Sequence, residues 1–520
     1  MLVDFGDGSY RWAGVSLGNN RTAFNATVTA SAQLDLSIEY RWFSFGVMVN
    51  DIGDRNPVYP VWWHLYIWNR TGGIWGLSSV GASDLTLENG DAIAWYLAID
   101  GPSSSPVPSP TPSSPHPQLS FRGDISNSGR YPGTLCDMYS AGWEYDTGSF
   151  EISGTPAEYH GTLFVPTWTG LFALDVKSGG LVWKRDDIRG MSSPAVFDGG
   201  LFIGAKDGKL HYVSASTGAE IWNKSLLPSP VFTGIASSPK PYLDKVYVGL
   251  FEENGAMGGV VALNIWNGSY VWQHSSPSVH MSSPAISGST LYIGVAGRFN
   301  GSSNSFAAPY GLLALNASSG SERWFFPTGG PVLSSPMILD SLVLFTSRDG
   351  ILHALRPDGT QAWRQTIGPS TSSPATDGTS IFVGHGVLGS NGGVIAFSST
   401  NETLWRKDLT GPVQTSPLYA DGVIFVGTNE AHGTFYALDA TNGDVLWDFT
   451  PSPGDYILSQ PIVADGDVYL SSDNGIVYQF ECHQTGEGWG PGAYAAFVAA
   501  ALGTVAAIEG IVLIRRRKRK

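Results

Sequence analysis

Eight tryptophans stand in register along the middle of this chain: Trp143, Trp183, Trp222, Trp272, Trp324, Trp363, Trp405 and Trp447, at spacings of 40, 39, 50, 52, 39, 42 and 42 residues. A recurrence near 40 residues marks one supersecondary unit copied many times, because a single copy cannot bury its own apolar faces.

Each interval repeats one order of signals. Ser192-Ser193-Pro194-Ala195-Val196 opens a repeat; Leu201 to Gly204 and Leu210 to Val213 follow as apolar runs, and Thr217-Gly218 turns the chain into Ile221-Trp222. Ser-Pro markers recur at Pro239, Pro284, Pro336, Pro374 and Pro417, with variants at Thr155-Pro156 and Gln460-Pro461. Short β-branched runs bounded by Gly, Asp, Asn and Ser, without helical period, read as four strands per repeat. Asp349-Gly350 and Asp421-Gly422 are hairpin signals. Four-stranded sheets repeated radially give a β-propeller.

The segments Ala173-Leu174-Asp175 to Gly179 and Trp183, and Ala437-Leu438-Asp439 to Gly443 and Trp447, resemble the quinoprotein-type (PQQ-like) propeller repeat. The resemblance covers about Gln118 to Cys482 and implies an eight-bladed β-propeller over 118–482, so the fold class is mainly β. Asp175, Asn264, Asn316 and Asp439 stand where a side-chain oxygen caps the turn before Gly.

The last repeat supplies three strands but no tryptophan strand, whereas Trp143 precedes the first Ser-Pro-like marker. The eighth blade is therefore expected to be shared between both ends of the array. Cys136 and Cys482, the two cysteines of the chain, flank those strands, and antiparallel pairing places them together as a disulfide. Closing so long a loop stabilises by about 5 to 6 kcal/mol in the chain-entropy estimate.

Residues 494–514 form a nearly unbroken apolar stretch, long enough at about 1.5 Å per residue to cross a bilayer as one helix. Arg515, Arg516, Arg517, Lys518, Arg519 and Lys520 follow, which places the tail (515–520) on the cytoplasmic side and the rest outside, with 483–493 as a spacer. Glu509 reads as a tolerated acid near the interface. Removing those six cations from the net charge of −15 leaves −21, an acidic exterior that argues against nucleic-acid binding. Met1 to Asp4 lead into polar sequence without the features of a secretory leader, so a leader is expected upstream. Asn20, Asn25, Asn69, Asn223, Asn267, Asn300, Asn316 and Asn401 head N-x-Ser/Thr sequons, more than composition predicts, and are glycosylation candidates on a cell-surface chain.

Pro102 to Pro117 is rich in Pro and Ser, and 101–117 reads as an extended spacer. Residues 1–100 read as a small α+β domain with a helix within Asn25 to Leu36 and strands over Ile38 to Val49, Trp63 to Trp68 and Ala92 to Leu97. Trp63, Tyr66, Trp68, Asn69, Gly90-Asp91 and Trp95 resemble the transcobalamin-like C-terminal domain, a β-grasp-like fold. That resemblance implies a corrinoid or other small ligand, and Trp62, Trp63, Tyr66, Trp68, Trp75 and Trp95 are the candidate ligand face, with core filling as the alternative.

Quinoprotein dehydrogenases hold a quinone with calcium, an aspartate base and adjacent cysteines. Here the cysteines are far apart, and the blade starts carry Ser192, Ser237, Ser282, Ser334, Ser372 and Thr415 instead of carboxylates. The ten histidines show no H-x-x-x-H or H-x-H pair, and no phosphate-loop or G-x-S-x-G motif occurs. The expectation is a membrane-anchored extracellular scaffold for a protein or glycan partner, with no catalytic residue, metal or cofactor. Corrinoid binding through residues 1–100 is the alternative, and a quinone-dependent dehydrogenase the remote one.

Overall fold

A computed structural model describes residues 121 to 483 with breaks at 132, 137, 228–233 and 252–257, the N-terminal elements given below, and Ile511–Leu513. Residues 101–117, 484–510, the basic tail and Asn20 lie outside the described residues, and with them the expected spacer, most of the apolar span and one sequon.

Eight four-stranded antiparallel units form a β-propeller. Blade 1 runs Ala157–Tyr159, Thr162–Pro166, Leu171–Asp175 and Leu181–Arg185, from inner to outer strand. The outer strands of blades 2 to 7 are Glu220–Ser225, Tyr270–Ser276, Glu322–Pro327, Gln361–Thr366, Thr403–Leu409 and Val445–Phe449, and each carries its tryptophan. Inner strands are only two or three residues long, as the crowded axis demands. The second and third strands are buried on both faces, as the patterns of Gly200–Gly204 and Gly258–Asn264 show, because each sheet packs between two others. The 52-residue spacing has a local cause, a hairpin of Arg298–Asn300 and Ser305–Ala307 inserted between the second and third strands of blade 4.

The ring closes as its ends suggest. Blade 8 takes Ile462–Ala464, Asp467–Ser471 and Ile476–His483 from the C-terminal end, and Met138–Asp146, which contains Trp143, from the N-terminal end. Cys136 and Cys482 form a disulfide with Cα atoms 5.5 Å apart.

In the first hundred residues a five-stranded sheet has the order Tyr10–Trp12, Leu2–Asp4, Ile93–Ile99, Val61–Asn69, Ile74–Leu77. The helix Ala23–Gln33 packs on it through Ala23, Ala26 and Ala30, against Leu65, Ile93 and Trp95. Thr22 opens the helix, its Oγ1 accepting the Asn25 N–H at 3.3 Å. The expected single strand from Ile38 to Val49 is instead a hairpin, Ile38–Phe43 with Gly46–Ile52.

The apolar span fares differently. Its described part, Ile511–Leu513, is a strand antiparallel to Met138–Ser140 on the outer edge of blade 8, in place of the helix expected there. Among the described residues no helix is long and apolar enough to cross a membrane.

Candidate functional site

The repeated tryptophans do one job each. Indole Nε1 donates to a carbonyl in the third-to-outer turn of the next blade: Trp143 to Val176 at 2.9 Å, Trp183 to Ala215 at 2.9 Å, Trp222 to Ile265 at 3.2 Å, Trp272 to Ala317 at 3.0 Å, Trp324 to Pro357 at 2.9 Å and Trp405 to Ala440 at 2.9 Å. The ring lies on a glycine of that turn, and a Cβ on Gly218 would meet Trp183 Cε3 at 2.7 Å. Glycine is required twice over, since φ there is +68°. Trp447 has no such turn ahead of it, because blade 8 takes its outer strand from the other end of the chain, and it packs on Phe480 with ring centroids 4.6 Å apart.

Trp363 departs in another way. Its turn carries Asn401 at φ +78° where the other turns have glycine, and the indole N–H and Asn401 Oδ1 are both buried without partners. The Asx caps form as expected: Asp175 Oδ1 accepts from Ser178 N at 2.8 Å, Asn264 Oδ1 from Trp266 N at 3.0 Å, Asn316 Oδ1 from Ser318 N at 2.9 Å and Asp439 Oδ1 from Thr441 N at 2.7 Å.

Around the axis the Ser-Pro motifs form a belt. In six successive motifs the second residue donates its backbone N–H to the hydroxyl of the next: Thr155 to Ser193 at 2.9 Å, Ser193 to Ser238 at 3.1 Å, Ser238 to Ser283 at 2.9 Å, Ser283 to Ser335 at 2.8 Å, Ser335 to Ser373 at 2.9 Å and Ser373 to Ser416 at 3.1 Å. Gln460 N returns to Thr155 Oγ1 at 3.2 Å. In six motifs the first residue ties down its own second strand: Ser192, Ser237, Ser282, Ser334, Ser372 and Thr415 accept the N–H of Gly204, Gly249, Gly294, Thr346, Gly384 and Gly427. Buried hydroxyls engaged in this way are fold elements, since leaving such a group unpaired costs about 1 to 3 kcal/mol.

The axis itself is filled by the chain. Phe121 to Tyr131 winds along the inner strands, and the carbonyls of Ile125, Ser126, Ser128 and Gly129 accept from Ile286, Ile338, Thr376 and Tyr419, one in each of blades 4 to 7. Arg130–Tyr131 then run parallel to Leu418–Ala420 as a fifth strand of blade 7. Arg122, 1% exposed, directs its guanidinium to the carbonyls of Pro374 and Pro417 and to Gln460 Oε1. Asn127 Nδ2 reaches the carbonyls of Pro284 and Pro336 at 3.1 and 3.0 Å, and Lys240 Nζ holds the carbonyl of Asp124 at 2.7 Å. Burial pushes the pKa of Arg122 down to about 9 and that of Lys240 to about 8, with the Asp124 charge opposing in both. Sequence reading missed this plug, because one Arg and one Asn in a Gly/Ser-rich stretch carry no periodic signal.

The other candidates separate. Trp95 goes into the core, its Nε1 donating to Thr27 Oγ1 at 2.8 Å, and it pairs in register with Leu65, next to Tyr66. Neighbouring positions on a strand point to opposite faces, so Trp95 and Tyr66 cannot share a ligand face. Trp68 pairs with Trp75, and Trp63 lies opposite Leu97. Of the sequons, Asn223, Asn267 and Asn300 are exposed, Asn316 and Asn401 are half-buried in turns, and Asn25 lies in the helix.

Among the described residues no three His, Cys, Asp or Glu side chains come together to hold a metal. The two cysteines form a disulfide where the ring closes, and Arg122 and Asn127 occupy the axis at the Ser-Pro level. These residues do not fit a quinone with its calcium ion.

The architecture defines a PQQ-like propeller. The chain belongs to the family described as outer membrane protein assembly factor BamB, whose profile matches residues 140–295 and 348–457, about half of the sequence. A curated relative of that name from Yersinia pestis is 25% identical over 189 residues, 32% of this chain and 47% of its own length. The chain spans under half the length of the first curated relatives it matches. BamB from Moraxella catarrhalis superposes with a TM-score of 0.52 at 20% identity, covering 68% of this chain and 99% of that one. The quinohemoprotein alcohol dehydrogenase of Comamonas testosteroni gives a TM-score of 0.58 at 16% identity, covering 72% and 82%. Both structural likenesses concern the fold alone.

Proposed function

We propose that the protein is a non-catalytic scaffold whose propeller binds a protein partner. The carrying observation is the hub: the Ser-Pro hydroxyls around the axis are engaged in holding the blades together, and the chain's own Arg122 and Asn127, bonded to carbonyls of those motifs, fill the place where an axial ligand would lie. The relatives named for outer-membrane assembly support the same reading, whereas those named as dehydrogenases share the fold.

By the alternation of the strands, the outer-to-inner and second-to-third connections share one face of the ring. That face carries Phe150, Leu388 and Met281, which are 71%, 63% and 42% exposed. Large apolar groups at such exposure suit a docking surface for a protein. The test is affinity capture from envelope extract with wild-type protein and with a Phe150→Asp, Leu388→Asp variant. A partner recovered by wild type and lost by the variant supports the scaffold, and turnover of an alcohol or sugar by purified protein supplied with quinone and calcium refutes it.

We infer further that residues 494–514 and the basic tail tether the protein to a membrane with the propeller outside, supported by the apolar length and the six adjoining cations. On insertion Ile511–Leu513 exchange their strand contact for a helical one.

A further inference from the structure

One blade breaks the repeat on the loop face. Where the second strand ends, seven blades place Thr167, Ala205, Leu250, Val295, Ser347, Thr428 and Ser472, all small, hydroxylic or aliphatic. Blade 6 places His385. Its side chain is 5% exposed, and its Nε2 is buried without a hydrogen-bond partner, a cost the fold does not need, since the neighbouring blades are built without it.

His385 lines a cleft of about 510 Å³ with Ile367, Pro369, Asn391, Arg406 and Asp408. Gly368 opens it further: at φ +91° a Cβ there would meet nothing within 4 Å. Arg406 Nε lies 3.1 Å from Asp408 Oδ1. Burial, reinforced by the Arg406 charge and opposed by Asp408, pushes the imidazole pKa down and favours the neutral ring.

The recognition groups therefore balance. Arg406 and the Asn391 amide donate and Asp408 and the Asn391 carbonyl accept, while the His385 ring, its Nε2 closed off from solvent, forms the floor. The paired charges cancel, so the cleft favours neither anion nor cation, and a ligand must both give and take hydrogen bonds at several closely spaced points. Vicinal hydroxyls do this, with Ile367 and Pro369 as an apolar wall for a pyranose ring face. The volume lies within the usual range of small-molecule sites, about 300 to 1,000 Å³.

We propose that this cleft of blade 6 binds a neutral saccharide unit through Arg406, Asp408 and Asn391, with the His385 ring as its floor. The site stands apart from the protein-binding reading and survives that reading's failure.

Saturation-transfer difference NMR of the full chain with glucose, mannose and N-acetylglucosamine tests it, with glucuronate and glutamate as charged controls. At least one neutral sugar is expected to show transfer. Asp408→Asn and Arg406→Gln, both on exposed side chains and safe for folding, should each weaken binding tenfold or more. Asn391→Ala should do the same, with an unchanged melting temperature as the control for folding. Absence of transfer from every neutral sugar at 50-fold excess would overturn the proposal. So would equal transfer in the Asp408→Asn and Arg406→Gln variants, or preferential transfer from glucuronate or glutamate.

Discussion

The seating of tryptophan on glycine predicts two substitutions of opposite sign. Gly218→Ala drives a Cβ to 2.7 Å from Trp183 Cε3 at a residue with φ +68°. Overpacking of a filled contact costs about 1 to 3 kcal/mol and a left-handed alanine about 1 kcal/mol, so the expected loss is about 2 to 4 kcal/mol. Asn401→Gly does the reverse. It restores the glycine that the six equivalent turns carry and allows the stranded indole N–H to reach the turn as its counterparts do. That hydrogen bond is worth about 1 kcal/mol, and relief of the φ +78° backbone is offset by the greater freedom of an unfolded glycine. The net expectation is a gain of about 1 kcal/mol. Urea unfolding followed by tryptophan fluorescence on non-glycosylated protein measures both, because Asn401→Gly also deletes a sequon. If Gly218→Ala leaves the midpoint in place, or Asn401→Gly lowers it, the tryptophans are not seated as described.

Three further outcomes follow from the geometry. Burial, with Glu151 and Asp455 adding to it, raises the pKa of Asp473 to about 7 against the bonding of Ile152 N–H. A carboxyl raised in the folded state is harmless while protonated and costs stability as pH climbs from about 4 to 7; Asp473→Asn should therefore raise the melting temperature at pH 8, by up to about 4 kcal/mol equivalent, and change nothing at pH 3.5. Arg122→Ala strands the carbonyls of Pro374 and Pro417 and Gln460 Oε1, and calorimetry should show a loss of about 3 kcal/mol or more. Glycopeptide mass spectrometry of protein from a glycosylating host should find sugar at the exposed Asn267 and Asn300 and none at Asn401, whose Oδ1 is buried.

What could be read beforehand was whatever repeats. A motif copied eight times averages out local ambiguity, so the Ser-Pro markers, Asp/Asn-to-Gly turns and tryptophans defined blade number, strand order and the shared eighth blade. Cys136 and Cys482 followed from that closure and did not have to be guessed. Non-repeating features stayed hidden. Arg122 and Asn127 acquire meaning only when eight sheets converge on them, and His385 is conspicuous only against its counterparts in the other blades. The segment Ile38 to Val49 reads as one strand because only two residues separate its two paired arms, and hydropathy at Ile511–Leu513 cannot distinguish an apolar helix from an apolar edge strand. Asn401 reads as a sequon in the sequence, and as a missing glycine only beside the turns of the other blades.

The clasp between Cys136 and Cys482 has a mechanical meaning. Tension applied beyond His483 enters the ring at the sulfur of Cys482 and leaves it through Cys136 toward the segment held at the axis. The covalent link thus short-circuits the load path. Pulling on the two ends would strain one sulfur bridge and the axial plug while the sheets stayed slack, and with thiols in its place the same pull would unzip blade 8 one hydrogen bond at a time.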